Sequence, residues 1–286
     1  MPKIYYIKNN NSGMAAMFNT LVMALEQILG EPGSVPVVDW ISPNYSDYGE
    51  SENIWNRYFQ FAWIPQIQSG TEYENVEVRG WCVPAKGNDY RNKYNKIFQK
   101  HIVVNPSIVD KVDKIFKSTS TKPCIGVHIR NTDRQFIHGD ISPPPLTSVS
   151  HHLKLCLESY KKNGNSEVNL FIASDNVPDA EELKISVREF SLDNGMIVNL
   201  LEDPETIRSP NTTTSVHGTH DSGLQSVANS KKAESILVDI FSLARCETIV
   251  RVCSNVSVSS AIINPKAKII DVSLACGKFS EDWISE

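Results

Sequence analysis

From Thr121 onward, short apolar runs alternate with stretches of helical period. Cys124 to Ile129, Val168 to Ala173, Met196 to Leu200, Thr248 to Val252 and Lys268 to Val272 read as buried strands. Between them, Val149 to Lys162, Pro178 to Phe190, Lys231 to Ala244 and Ser257 to Ile263 read as helices. The first of these helices carries apolar residues at 149, 153, 155 and 157. A polar stretch from Glu202 to about Asn229 reads as a long loop. Strands and helices in this alternation predict an α/β fold with a parallel, doubly wound sheet.

The first third is less regular. Ile4 to Ile7 and Pro36 to Ile41 read as strands, and Ala15 to Leu29 as an amphipathic helix between them. The chain then turns aromatic and polar (Tyr45, Tyr48, Trp55, Tyr58, Phe59, Trp63, Trp81), a composition suited either to core or to a sugar platform. Helices near Tyr90 to Gln99 and Ser107 to Lys117 lead into the second half. The expected division is an N-terminal domain of residues 1–105 and a C-terminal domain of residues 106–286, whose last residues are candidates to pack back on the first domain.

Composition narrows the function classes. The 286 residues are 41% hydrophobic and 21% charged, enough for two domains with their own cores. A net charge of -5 argues against a general nucleic-acid binder, so any anion must be held locally. No run approaches the length of a membrane span, and Met1 to Ile7 reads as a first strand rather than a leader. The six cysteines (82, 124, 156, 246, 253, 276) form no Cys-x-x-Cys pair; the expectation is buried, reduced thiols and a cytoplasmic setting.

Four segments carry candidate chemistry. In Asn9-Asn10-Asn11-Ser12-Gly13-Met14-Ala15, a small-residue loop enters a helix, and the unpaired N–H groups there suit an anion. In Gly126 to Arg134, a strand ends His128-Ile129-Arg130, so two-residue periodicity places His128 and Arg130 on one face. A fixed guanidinium at the carboxyl edge of a sheet reads as a phosphate clamp, against the alternative of a surface ion-pair cluster with Asp133 and Arg134. In Ala173-Ser174-Asp175, the aspartate either accepts hydrogen bonds from a base or sugar, or caps the following helix. The fourth segment puts Asp239 in an apolar helix, where an unpaired carboxylate is costly, and Ser254-Asn255 where a strand feeds a helix N-terminus. His217-Gly218-Thr219-His220 lacks metal-motif spacing, and His217 is instead a candidate ligand contact from its loop. No Gly-x-Gly-x-x-Gly follows a strand, which argues against a nicotinamide enzyme.

In this order, the segments resemble the fucosyltransferase superfamily of α-1,6-fucosyltransferases, nodulation fucosyltransferases and protein O-fucosyltransferases. The likeness rests on Gly13, His128-Ile129-Arg130, Ala173-Ser174-Asp175, and Asp239-Ile240-Phe241-Ser242-Leu243 with Ser254-Asn255. It implies a GT-B glycosyltransferase: two Rossmann-like domains facing a cleft, inverting the anomeric centre without a metal or other cofactor. By position, Arg130 would stabilise the leaving diphosphate. Gly13, His128, Arg134, Asp175, His217, Asp239, Ser254 and Asn255 would line the donor site. Asp140 and His138, on the loop after the arginine strand, are the first candidates for general base, and Asp39 is the next. The chain departs from the family in having Arg130-Asn131 where several relatives have Arg-Arg, and His138 where the α-1,6 enzymes have Glu. The expected partners are a nucleotide-sugar and a glycan acceptor, with neither nucleic acid nor a membrane span. GDP-fucose is the family donor and a UDP-sugar such as UDP-xylose the alternative. A catalytically idle nucleotide-sugar or glycan-binding protein is the competing reading.

Overall fold

The structure is a computed structural model, and it describes residues 1–9, 13–42, 44–47, 52–63, 65–78, 90–117, 121–130, 144–210 and 228–275. Its described elements run β1 (Lys3–Lys8), α1 (Met14–Gly30), β2 (Val35–Asp39), α2 (Trp55–Tyr58), β3 (Phe59–Phe61), β4 (Glu74–Val78), α3 (Tyr90–His101), β5 (Ile102–Val104) and α4 (Pro106–Phe116). The second half continues with β6 (Cys124–Ile129), α5 (Leu146–Lys162), β7 (Glu167–Ser174), α6 (Val177–Asn194), β8 (Ile197–Leu201), α7 (Asn229–Leu243), β9 (Thr248–Arg251), α8 (Asn255–Ile263), β10 (Lys268–Asp271) and α9 (Val272–Ala275). No helix among the described residues is long and apolar enough to cross a membrane.

Two parallel sheets organise the molecule. The first has the order β2-β1-β4, and the second β10-β9-β6-β7-β8. A small antiparallel pair, β3 with β5, stands apart from both. The central strands β6, β7 and β9 of the second sheet are buried on both faces, which explains why they read as continuous apolar runs. On one face Ile125, Val127 and Ile129 pack with Leu153 and Leu157 of α5 and Leu183 and Val187 of α6. On the other, Cys124, Phe171 and Ile249 pack with Leu243 at the end of α7.

The core of the first sheet does not stop at the first half of the chain. Tyr5 and Ile7 of β1, most of α1, and the aromatic residues Trp40, Trp55, Phe59 and Phe98 form one cluster with Ala233, Leu237 and Ile240 of α7 and Val258 and Ile262 of α8. Thus α7 and α8 lie between the two sheets and serve both. Polar contacts add to this seam. Asp47 caps α7, accepting from Ser230 N at 3.0 Å, and Tyr58 Oη donates to Ser230 O at 2.7 Å. Although burial works against it, the bonds from Ser230 hold the Asp47 carboxyl below its ordinary range. At the other end, Asn95 of α3 donates to Ile263 O at 2.8 Å.

Candidate functional site

In the second sheet, β6 lies between β7 and β9, so the chain winds outward one way through β7 and β8, then the other through β9 and β10. Order reverses at the β6/β9 boundary, and open α/β sheets bind ligands in the crevice outside the carboxyl ends at such a switch point. The register pairs His128 with both Ala173 and Arg251. Val252 N donates to His128 O at 3.2 Å. Two residues beyond His128, half-buried Arg130 therefore leaves the sheet beside the segment that carries Ser254 into α8.

Two helices, α8 and α1, pack against each other near this edge. Ser254 is the N-cap of α8, its hydroxyl oxygen accepting from Val256 N at 3.3 Å. The hydroxyl proton remains available to a phosphate oxygen. Gly13 is the N-cap of α1 with φ -66 and ψ 158, a conformation open to any residue. What glycine contributes there is the missing side chain: among the described residues no side chain caps the first turn from the N-cap position, although Tyr45 Oη accepts from Met14 N at 3.2 Å. The two helices are bonded to each other. Asn255 Oδ1 accepts from Asn19 Nδ2 at 3.2 Å, and Ser259 Oγ donates to Asn19 Oδ1 at 2.8 Å. The carboxamide oxygen of Asn255 thus serves the seam between the halves, which places the residue in the region expected but gives it a structural task.

At the end of β7, Asp175 is half-buried, and its Oδ1 accepts from Asn176 Nδ2 at 3.2 Å. The capping alternative for Asp175 belongs to Asn176 instead, whose Oδ1 accepts from Asp179 N at 2.8 Å to start α6. Asp239 projects from α7 with its side chain 14% exposed. Oδ2 lies 3.6 Å from Arg208 Nη1, whereas Oδ1 is buried with no hydrogen-bond partner among the described residues. Burial pushes this carboxyl up to about 6; Arg208 pulls it down, and Asp203 and Asp175 add to the upward push. Asp39 lies at the carboxyl edge of the first sheet, half-buried, its carbonyl accepting from Asn9 N at 3.3 Å. Arg134, His138, Asp140 and His217 lie outside the described residues.

Sequence reasoning missed Arg208. It sits in the polar stretch after β8, where no periodicity singles out one arginine. The nearest signal was Asp239 itself, since a carboxylate in an apolar helix demands a cation nearby.

No protein-family model matches the chain, and no curated protein matches it by sequence. Solved structures do match in fold. NodZ α-1,6-fucosyltransferase soaked with GDP-fucose aligns at a TM-score of 0.57 and 15% identity, covering 93% of this chain and 94% of that one. Fucosyltransferase NodZ from Bradyrhizobium gives 0.58 at 14% identity, covering 95% and 94%. A mutant of Arabidopsis thaliana FUT1 in complex with GDP gives 0.56 at 12% identity, covering 95% of this chain and 70% of that one. At such identities the likeness establishes architecture: this chain has the GT-B arrangement of two parallel sheets flanked by helices, as in these fucosyltransferase structures.

Proposed function

We propose that this chain is an inverting, metal-independent glycosyltransferase that moves a sugar, fucose by preference, from a guanosine diphosphate donor to a glycan hydroxyl. The observation that carries this reading is the position of Arg130 at the end of β6 and of the capped α8 N-terminus after β9, both at the carboxyl edge beside the switch point of a fold shared with NodZ. In a single displacement, the acceptor oxygen attacks the anomeric carbon as the bond to the diphosphate breaks. Negative charge grows on the departing phosphate oxygens. A cation fixed there beforehand lowers the barrier most, because it stabilises charge that develops only in the transition state. Arg130 takes that role. Ser254 and the α8 N-terminus hold the phosphates, and Gly13 leaves room for backbone on the opposite wall. Asp140, His138 or Asp39 would take the proton from the acceptor.

Asp239 supports guanine over uracil. Its unpaired Oδ1 needs an N–H donor, and the guanine edge offers N1–H beside its amino group, whereas uracil N3–H is flanked by two carbonyls. A turnover panel of GDP-fucose, GDP-mannose, UDP-xylose and UDP-glucose, run with EDTA, tests the proposal. The expected result is turnover of one GDP-sugar, indifferent to EDTA and reduced about a hundredfold or more in Arg130→Ala. Silence across the panel with no nucleotide-induced thermal shift overturns it. Binding without turnover, with acceptor glycans supplied, favours an idle nucleotide-sugar-binding protein.

A further inference from the structure

The end of β7 shows how Asp239 is held. β7 continues to Ser174, but its partner β8 ends at Leu201, opposite Phe171. The carbonyls of Ile172 and Ser174 therefore extend past the end of the neighbouring strand. Unsatisfied carbonyls are costly there, and the guanidinium of Arg208 takes both: Nη2 donates to Ile172 O at 2.8 Å, and Nη1 donates to Ser174 O. The same Nη1 faces Asp239 Oδ2 at 3.6 Å.

Arg208 is itself anchored on both sides. Ile207 N donates to Ser235 Oγ of α7 at 2.9 Å, and Ser209 N donates to Asp175 O at 2.9 Å. Val177 N in turn donates to Ser209 O at 2.8 Å. The side chain is only 16% exposed, so the cation has one geometry and little water around it. Two neighbouring carboxylates, Asp203 on the loop after β8 and Asp175 at the end of β7, oppose it electrostatically.

We propose that Arg208 is a positioning residue for donor choice: it fixes the Asp239 carboxylate by one oxygen and leaves Oδ1 to accept from the nucleobase, so that the site selects guanine. This rests on the nucleotide-site reading above. A protonated Asp239 would turn one oxygen into a donor and lose that selectivity, and Arg208 is the cation that opposes protonation.

The test uses the whole chain, with wild type, Arg208→Gln and Arg208→Lys. Carboxyl-labelled NMR follows the titration of Asp239 without nucleotide, and calorimetry gives the Kd of GDP, IDP (which lacks the 2-amino group) and UDP across pH. In Arg208→Gln the Asp239 midpoint should rise by about one unit or more. With the midpoint moved from about 6 to about 7, GDP affinity at pH 7 should fall about twofold, recovering as pH climbs through the new midpoint, and the GDP-to-IDP preference should shrink. Arg208→Lys keeps the charge and should hold the midpoint near that of wild type. An unmoved midpoint, or a uniform loss for all three nucleotides at every pH, overturns the proposal. A wild-type protein that prefers no guanine nucleotide overturns the nucleotide-site reading and the specificity role with it; the midpoint shift separately reports whether Arg208 and Asp239 are coupled.

Discussion

At the scale of single residues, Asp239 carries an energetic cost for the fold. Its carboxyl lies at about 6 in the folded chain against an ordinary 3.8, and burial is the main cause. Between those values the folded state binds a proton that the unfolded chain has lost. The contribution of this group to stability is therefore greatest below about pH 4, falls as pH rises towards about 6, and stays lower above it. The penalty at neutral pH is on the order of 3 kcal/mol. Asp239→Asn removes it, and the variant should be about 2 kcal/mol more stable at pH 7, with the gain shrinking towards pH 4. GDP binding should fall sharply in the same variant. Urea melts at several pH values and a GDP titration check both halves, and a variant less stable at pH 7 contradicts the burial argument. Stability given up for an acceptor is the expected signature of a binding residue.

At the scale of elements, Gly126 shows why one helix lies where it does. A methyl group on it would sit 2.8 Å from Leu243 Cδ2 and 3.1 Å from Cys246 Sγ, so α7 and the turn after it approach β6 only because that side chain is absent. The tip of Leu243 could shift, but Cys246 is fully buried with its sulfur 3.0 Å from Cys124 Sγ. Gly126→Ala should therefore cost about 1–3 kcal/mol by denaturant unfolding, and a neutral result would show that the seam yields. The same elements mark what was legible in the sequence. The central strands β6, β7 and β9 of the second sheet could be read because they are buried on both faces, and the edge strands β8 and β10 because they keep short apolar runs between helical stretches. β4 could not: Glu74-Asn75-Val76-Glu77-Val78 is an edge strand with one wet face, and its glutamates mask it. The β3–β5 pair joins short segments distant in sequence, a pairing no local pattern encodes. At the site, strand-end residues such as His128 and Arg130 could be located by position, whereas Arg208 depends on β7 outrunning β8, which only the assembled sheet reveals.

At the scale of the whole molecule, the question is whether two sheets mean two folding units. Sequence periodicity separates the halves near α4, and two-domain chains often unfold in separate steps. The packing argues otherwise here. Leu237 of α7 is fully buried in the cluster that holds Trp40 and Trp55, while Leu243, at the end of the same helix, is buried against the second sheet. One helix thus spans both cores, and α8 is tied to α1 through Asn19. Losing either sheet would expose one flank of α7, so the halves should unfold together. Tryptophan fluorescence, weighted to the first core through Trp40 and Trp55, should report the same urea midpoint as far-UV circular dichroism over the whole chain. Leu237→Ala should lower stability by about 2–5 kcal/mol and move both midpoints together, since the cavity opens in a helix that neither sheet can lose. Two separated transitions, or a variant that shifts fluorescence alone, would mean that the seam is a docking contact rather than a shared core. A shared core would also give the candidate site its rigidity: Arg130 follows β6, and the α8 N-terminus and Asp239 sit on helices braced from both sides, as the proposed charge-stabilising role requires.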